Sequence, residues 1–242
     1  MGKFKVFSRL NSIFSRLNPL NSFDWGYVKQ DLIKPPSSKE LLEKTINNYP
    51  EFEKVILIGI YHLMNTQYMD KEYLTVLTKD LRLICDLVEG DNSSVEIPEI
   101  LKIEPIENIL LTCHNHFNNS LIPSSRDFRN IVQPKIRFTI IVSKECIVIL
   151  INELQETFHK FSDKELKEFI NTWKSFNDYI IFCMGIDKPD LIFRFFDDNS
   201  GMDDNEFQEI FEVFVGENLS KFIDEFNVRF KKYNMYCIHI KI

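Results

Sequence analysis

This 242-residue chain lacks long apolar runs and lacks cysteine pairs at the spacing of metal ligands. No segment reaches the roughly eighteen uninterrupted apolar residues that a membrane-spanning helix requires, and the N-terminus has no continuous apolar signal core. The five cysteines are scattered, and their odd number favours a reducing compartment. We therefore expect a soluble, cytoplasmic protein whose cysteines are buried apolar residues.

An excess of basic charge is also missing, since the formal net charge is −7 at pH 7. An acidic chain has no broad electrostatic attraction to the phosphates of nucleic acid. We therefore expect no nucleic-acid partner. The hydrophobic fraction of 44% is that of a globular protein, and the length is sufficient for a sizeable core.

Basic residues concentrate instead near the N-terminus, where the sequence Phe-Ser-Arg-Leu-Asn occurs twice, at 7–11 and 14–18. The apolar residues of the two copies recur at helical spacing and predict an amphipathic helix over residues 1–22. Such a helix can pack on the protein's own domain, or it can contact a partner or an anionic membrane surface. A Pro-Pro-Ser-Ser segment at 35–38 predicts a linker that separates it from the rest of the chain.

Helical and strand patterns alternate irregularly along the rest of the chain. The helical patterns cover residues 39–48, 51–67, 163–176 and 205–233. The strand patterns cover residues 73–77, 81–88, 95–97, 108–112, a hairpin of 136–142 with 146–151, and 236–242. His62, within the second helical pattern, is expected to pack or to form a local hydrogen bond. We predict an α/β (α+β) fold in which helices flank a mixed sheet.

Residues with the potential for chemistry concentrate in one short stretch. His114 and His116 lie two residues apart at the end of a predicted strand, so they point to the same face. Two imidazoles can ligate one divalent ion, and Asp127 can be the third protein ligand that a catalytic zinc site takes. Another interpretation is also open, because Ser124-x-x-Asp127 is a variant of the capping box that begins a helix. We predict that this helix ends at Pro134.

The order His-x-His, seven residues and Ser-x-x-Asp resembles the signature of the JAMM (JAB/MPN) metalloprotease family. The His-Asn-His loop is especially similar to that of the family's RadC branch. The resemblance implies that His114, His116 and Asp127 ligate a zinc ion (Zn2+) and that Ser124 stabilises the oxyanion that develops during hydrolysis. The chain departs from the family pattern at Phe117, where the family usually has proline.

The family also uses an upstream glutamate as general acid and base toward the zinc-bound water. Glu72 follows a helical pattern and precedes an apolar strand, which resembles the family's order of elements. Glu89 is the alternative, although a turn at Gly90 also explains its position. We favour Glu72, while noting that Thr78 and Lys79 stand where the family usually has a small residue or glycine.

The resemblance covers about residues 51–152 and implies a zinc-dependent metallopeptidase or isopeptidase, with a ubiquitin-like protein or its conjugate as the substrate class. The chain then divides into an N-terminal extension with its linker (1–38), a JAB/MPN-like metal-binding domain (39–152) and a helical C-terminal extension with a closing strand (153–242). The alternative is a JAB/MPN-like module that serves protein interaction without catalysis. Bound metal and the position of Glu72 discriminate between these two functions.

Overall fold

The computed structural model describes most of the chain from residue 38 onward. The described residues are 38–66, 69, 71–90, 108–116, 120–123, 127, 136–143, 146–153, 162–196 and 202–241. Four predictions lie outside these residues. They concern the amphipathic helix of residues 1–22 with its linker, the strand at 95–97, the role of Ser124 and the end of its helix at Pro134.

Six strands of the described residues form one mixed sheet. They are β1 (Tyr73–Thr78), β2 (Leu83–Glu89), β3 (Ile109–Asn115), β4 (Phe138–Ser143), β5 (Cys146–Asn152) and β6 (Met235–Lys241). Their order across the sheet is β2-β1-β3-β4-β5-β6. Strands β3 and β4 are parallel, and the other neighbouring pairs are antiparallel. The predicted mixed sheet is therefore confirmed.

Six α-helices flank this sheet within the described ranges. They are α1 (Ser38–Asn48), α2 (Phe52–Thr66), α3 (Asp163–Asp187), α4 (Pro189–Phe196), α5 (Asp204–Glu217) and α6 (Leu219–Phe230). Helix α2 approaches the sheet closely at Gly59, where an added Cβ would lie 3.1 Å from Ile147 and 3.3 Å from Ile140. Glycine at this position therefore sets the distance between α2 and strands β4 and β5.

Strand β5 shows why the sheet is covered on both faces. All seven of its residues are buried, and its sequence is apolar at both alternating sets of positions. Ile147 and Ile149 pack in the core formed with α1 and α2, whereas Val148 and Leu150 pack with phenylalanines of the C-terminal helices. A continuous apolar run is typical of a strand that is buried on both sides. The sequence of β5 thus requires two helical layers.

The C-terminal part of the chain belongs to the same sheet. Strand β6 pairs with β5 in continuous register from Cys146 opposite Lys241 to Asn152 opposite Met235. The helical pattern predicted over 205–233 divides into α5 and α6 at Asn218, whose Nδ2 donates to the Phe214 carbonyl oxygen at 3.0 Å. This break allows side chains of both helices to enter one core.

All five cysteines are free and buried, as predicted. Burial raises the pKa of the Cys113 and Cys237 thiols well above their usual value, so both stay protonated at neutral pH. Among the described helices, none combines the length and the apolar character needed to cross a membrane.

Candidate metal centre

The two histidines of the motif lie at the end of β3, an interior strand of the sheet. Strand β3 is buried along its whole length, between β1 and β4. His114 lies opposite Leu74 of β1 and beside Ile141 of β4, and His116 follows the strand directly. Both rings turn to the same side, where their Nε2 atoms lie 3.2 Å apart.

Asp127 joins the two histidines in a cluster of three buried side chains. His114 Nε2 lies 3.0 Å from Asp127 Oδ1, and His116 Nε2 lies 3.3 Å from Asp127 Oδ2. With zinc–ligand bonds of about 2.0–2.1 Å at tetrahedral angles, two ligand atoms are roughly 3.3 Å apart. The three side chains are thus at the spacing of ligands, and the cluster can hold a metal ion.

The cluster is electrostatically paired within itself. Burial opposes the charge on Asp127, but both histidines offset this effect and hold the pKa of Asp127 well below its usual value. Burial lowers the pKa of His116, yet the hydrogen bond and charge of Asp127, together with the charge of Glu72, raise that pKa above its usual value. Asp127 is therefore ionised, and a metal ion that binds here competes with the protonation of His116.

Contacts outside the cluster orient the His116 ring. Its Nδ1–H donates to the Ser120 carbonyl oxygen at 2.9 Å, which turns Nε2 toward Asp127. Metal-ligating histidines commonly donate their second ring N–H in this way, because the bond fixes both the tautomer and the orientation of the ring. The contact is consistent with a ligand role for His116.

The segment after Ser120 is anchored to the C-terminal helices. Leu121 is buried in the apolar core of these helices. Trp173, on α3, donates its Nε1–H to the Pro123 carbonyl oxygen at 3.2 Å. No pattern in the sequence indicated Trp173 as part of the site, since 50 residues separate it from Pro123.

Glu72 lies beside the cluster, directly before β1. Strands β1 and β3 are antiparallel and their pairing ends with Leu74 opposite His114, so Glu72 and His116 lie two residues beyond this last pair, on the two strands' extensions. The charge of Glu72 raises the pKa of His116, as expected from this position. Its carbonyl oxygen accepts a hydrogen bond from the Gly90 N–H at 2.8 Å, which ties the start of β1 to the end of β2.

Glu89, the alternative, is engaged elsewhere at the edge of the sheet. It forms an exposed ion pair with Lys71 and accepts a hydrogen bond from the Tyr73 hydroxyl at 3.3 Å. The hydrogen bond and charge of Lys71 lower the pKa of the Glu89 carboxyl, which makes it a weaker base. Of the two predicted glutamates, Glu72 is the one whose charge acts on the cluster.

His62 adjoins the site from α2. Its Nδ1 lies 3.0 Å from Thr75 Oγ1, so the expected local packing and hydrogen bond are present. Burial lowers the pKa of His62 to about 3, and the charge of His114 contributes to this effect. His62 is therefore neutral at physiological pH. Its proximity to His114 had no signal in the sequence.

Glu212 approaches from α5. Its Oε1 accepts a hydrogen bond from Gln208 Nε2 at 2.7 Å. Burial raises the pKa of Glu212 above its usual value, although the Gln208 bond and the charge of His116 act in the opposite direction. The electrostatic interaction with His116 brings a C-terminal residue into the surroundings of the cluster, which no pattern in the sequence indicated.

The role of Ser124 stays a prediction, because this residue lies outside the described part of the chain. Asp127 is helical, and the rest of the helix expected between Ser124 and Pro134 also lies outside. Both interpretations of Ser124, as an oxyanion donor and as a helix cap, therefore remain open.

No family model, no curated protein and no solved structure matches this chain. The resemblance to the JAMM family rests on the motif residues. The geometry shows a buried cluster of His114, His116 and Asp127 that can hold a metal ion.

Proposed function

We propose that this protein is a zinc-dependent metallopeptidase or isopeptidase of the JAMM type. The observation that carries the proposal is the convergence of His114, His116 and Asp127, whose closest ligand atoms lie 3.0–3.3 Å apart in a buried cluster. Their spacing in the sequence is that of the JAMM signature, and the charge of Glu72 acts on His116. Motif residues that also meet in space support a site more strongly than the motif alone.

Each side chain has one role under this proposal. His114, His116 and Asp127 would hold the zinc ion. A zinc ion bound there would lower the pKa of its water ligand and polarise the scissile carbonyl. Glu72 would take a proton from the attacking water and would deliver it to the leaving amine. Ser124 donates a hydrogen bond to the developing oxyanion.

The substrate class that we propose is a ubiquitin-like protein or its C-terminal conjugate, in the cytoplasm. This part of the proposal rests on the family resemblance. Residues 1–22 would then contact a partner or an anionic membrane surface, in keeping with their amphipathic and basic sequence.

Metal analysis of the purified full-length protein tests the centre. We expect about one zinc ion per chain, lost when His114 and His116 are both changed to Ala. His239→Ala is the matched control, because this histidine lies on β6 and hydrogen-bonds Ser220 of α6. A folded wild type that binds no zinc after reconstitution contradicts the proposal.

Hydrolysis is tested separately with a ubiquitin-like protein that carries a fluorophore on its C-terminal carbonyl through an amide bond. We expect zinc-dependent release of the fluorophore. Glu72→Gln should lower kcat by about 10²–10⁴ with unchanged zinc content, because it removes the proton acceptor alone. Glu89→Gln is the control and should retain activity. Zinc binding without hydrolysis, in wild type and variant alike, would favour the interaction module instead.

A further inference from the structure

Asn115, the residue between the two histidines, is joined to both neighbours of Glu72. Its Oδ1 accepts a hydrogen bond from the Tyr73 N–H at 2.8 Å, and its Nδ2 donates to the Lys71 carbonyl oxygen at 2.8 Å. The side chain is buried, with 6% of its surface exposed. One amide thus bridges the main chain on either side of Glu72.

This bridge extends the pairing of two strands beyond its end. The ladder between β1 and β3 ends with Leu74 opposite His114. Asn115 continues the connection with its side chain, so that the residues preceding β1 stay fixed to the strand that carries the histidines. An amide is suited to this role because it has a donor and an acceptor that can bind one backbone segment simultaneously.

We propose that Asn115 is a positioning residue that fixes the Glu72 carboxylate relative to His114 and His116. The inference rests on the proposed function, since it assigns Asn115 a task in the same centre. Side chains alternate along an extended chain, so Asn115 faces away from the two histidines. It therefore acts through the backbone of Glu72, and the metal is held by other residues. General-base chemistry requires positions accurate to a fraction of an ångström, and the Asn115 bridge adds to the Gly90 bond in fixing the segment before β1.

Asn227 provides a matched control for the loss of such a bridge. Its Nδ2 donates to the Cys237 carbonyl oxygen at 2.9 Å, and its Oδ1 accepts from the Cys237 N–H at 2.6 Å. Its side chain is also 6% exposed. Asn227 joins α6 to β6, so Asn227→Ala removes the same two kinds of bond from a place that carries none of the proposed ligands.

The test uses Co2+ in place of zinc, because the visible absorption of bound Co2+ reports its coordination. The spectrum is recorded against pH for wild type, Glu72→Gln, Asn115→Ala, the double variant and Asn227→Ala. The pH midpoint is the pH at which half of the change in the Co2+ absorption spectrum has occurred. We expect Glu72→Gln and Asn115→Ala to shift this midpoint in the same direction by at least about half a pH unit. The double variant should show no further shift, and Asn227→Ala should keep the wild-type midpoint despite a comparable loss of thermal stability.

The outcomes separate the two proposals. A wild-type midpoint in Asn115→Ala, together with a shifted midpoint in Glu72→Gln, overturns the positioning role and leaves the metal centre intact. A protein that binds no Co2+ overturns the proposed function and this inference with it.

Asn115→Thr is the second variant if Asn115→Ala does not fold, because threonine suits a strand and lacks the bridging amide. The same shift is expected of it, and a wild-type midpoint overturns the role.

Discussion

His114 Nε2 lies 3.0 Å from Asp127 Oδ1, and both side chains are more than nine-tenths buried. The first residue lies next to the end of a central strand, and the second is helical. An ionised carboxylate at such a depth is stable only when charged or hydrogen-bonding partners replace the lost water. The two histidines are such partners. They stabilise the Asp127 carboxylate in the metal-free cluster, and a cation can bind in the same cluster.

Asp127→Asn should therefore affect both metal affinity and stability. We expect zinc affinity to fall by more than about a hundredfold, since a ligand is lost and not merely its support. In the presence of a chelator, the free energy of unfolding should fall by about 1–3 kcal/mol, because the buried histidines lose the negative charge and one of the two acceptor oxygens of Asp127. Competition titration and urea unfolding measure the two effects. Asp224→Asn, beside His239, is the control that should keep zinc, and wild-type affinity in Asp127→Asn would contradict the ligand role.

Zinc affinity should decrease as the pH is lowered from about 8 to about 6. The pKa of His116 is raised above its usual value, so protons compete with the metal already near neutral pH. Glu72→Gln removes a charge that favours the protonated ring, and its affinity curve should move to lower pH. Calorimetric titrations in buffers of different ionisation enthalpy measure the protons released. A release that is independent of pH would contradict this prediction.

The metal-free protein should lose stability in acid partly through His62. The folded-state pKa of about 3 lies below the usual value of 6.5, so the unfolded chain binds the proton first. The stabilising contribution is therefore complete above pH 6.5 and is lost as the pH falls toward 3. Between pH 7 and pH 5 the wild type should lose about 2 kcal/mol more than His62→Gln. Urea unfolding with chelator present measures this difference, and parallel curves for the two proteins would refute it.

Trp173→Phe should lower the zinc affinity by more than its effect on the free energy of unfolding explains. The change keeps an aromatic ring on α3 but removes the hydrogen bond to the Pro123 carbonyl oxygen. We expect up to about tenfold lower zinc affinity, because the loop that follows His116 loses an anchor. Phe176→Leu, a core change on the same helix, should lower stability and leave zinc affinity unchanged. Equal effects of the two variants on zinc would show that Trp173 acts through stability alone.

Local patterns were sufficient for much of the fold. The continuous apolar run of β5 predicted a strand, and its burial on both faces follows from the same residues. The alternation of an extended chain placed His114 and His116 on one side. These properties depend on neighbours in sequence, so they can be recognised without knowledge of the packing.

The division of the 205–233 pattern at Asn218 could not be read in this way. A single helix of that length would extend roughly 43 Å, and the break instead returns the chain so that Phe214 and Phe222 share one core. Helical periodicity reports which face of a segment is apolar. It does not report where the tertiary structure requires the chain to turn.

The sequence by itself determined which residues form the candidate centre, because the spacing of His114, His116 and Asp127 already predicted a group that can hold a metal ion. The tertiary structure alone decided how that set is supported. The bridge from Asn115 to the neighbours of Glu72 spans 42 to 44 residues, and the bond from Trp173 spans 50. Contacts between such distant residues form only when strands pair and helices pack, so no local pattern records them.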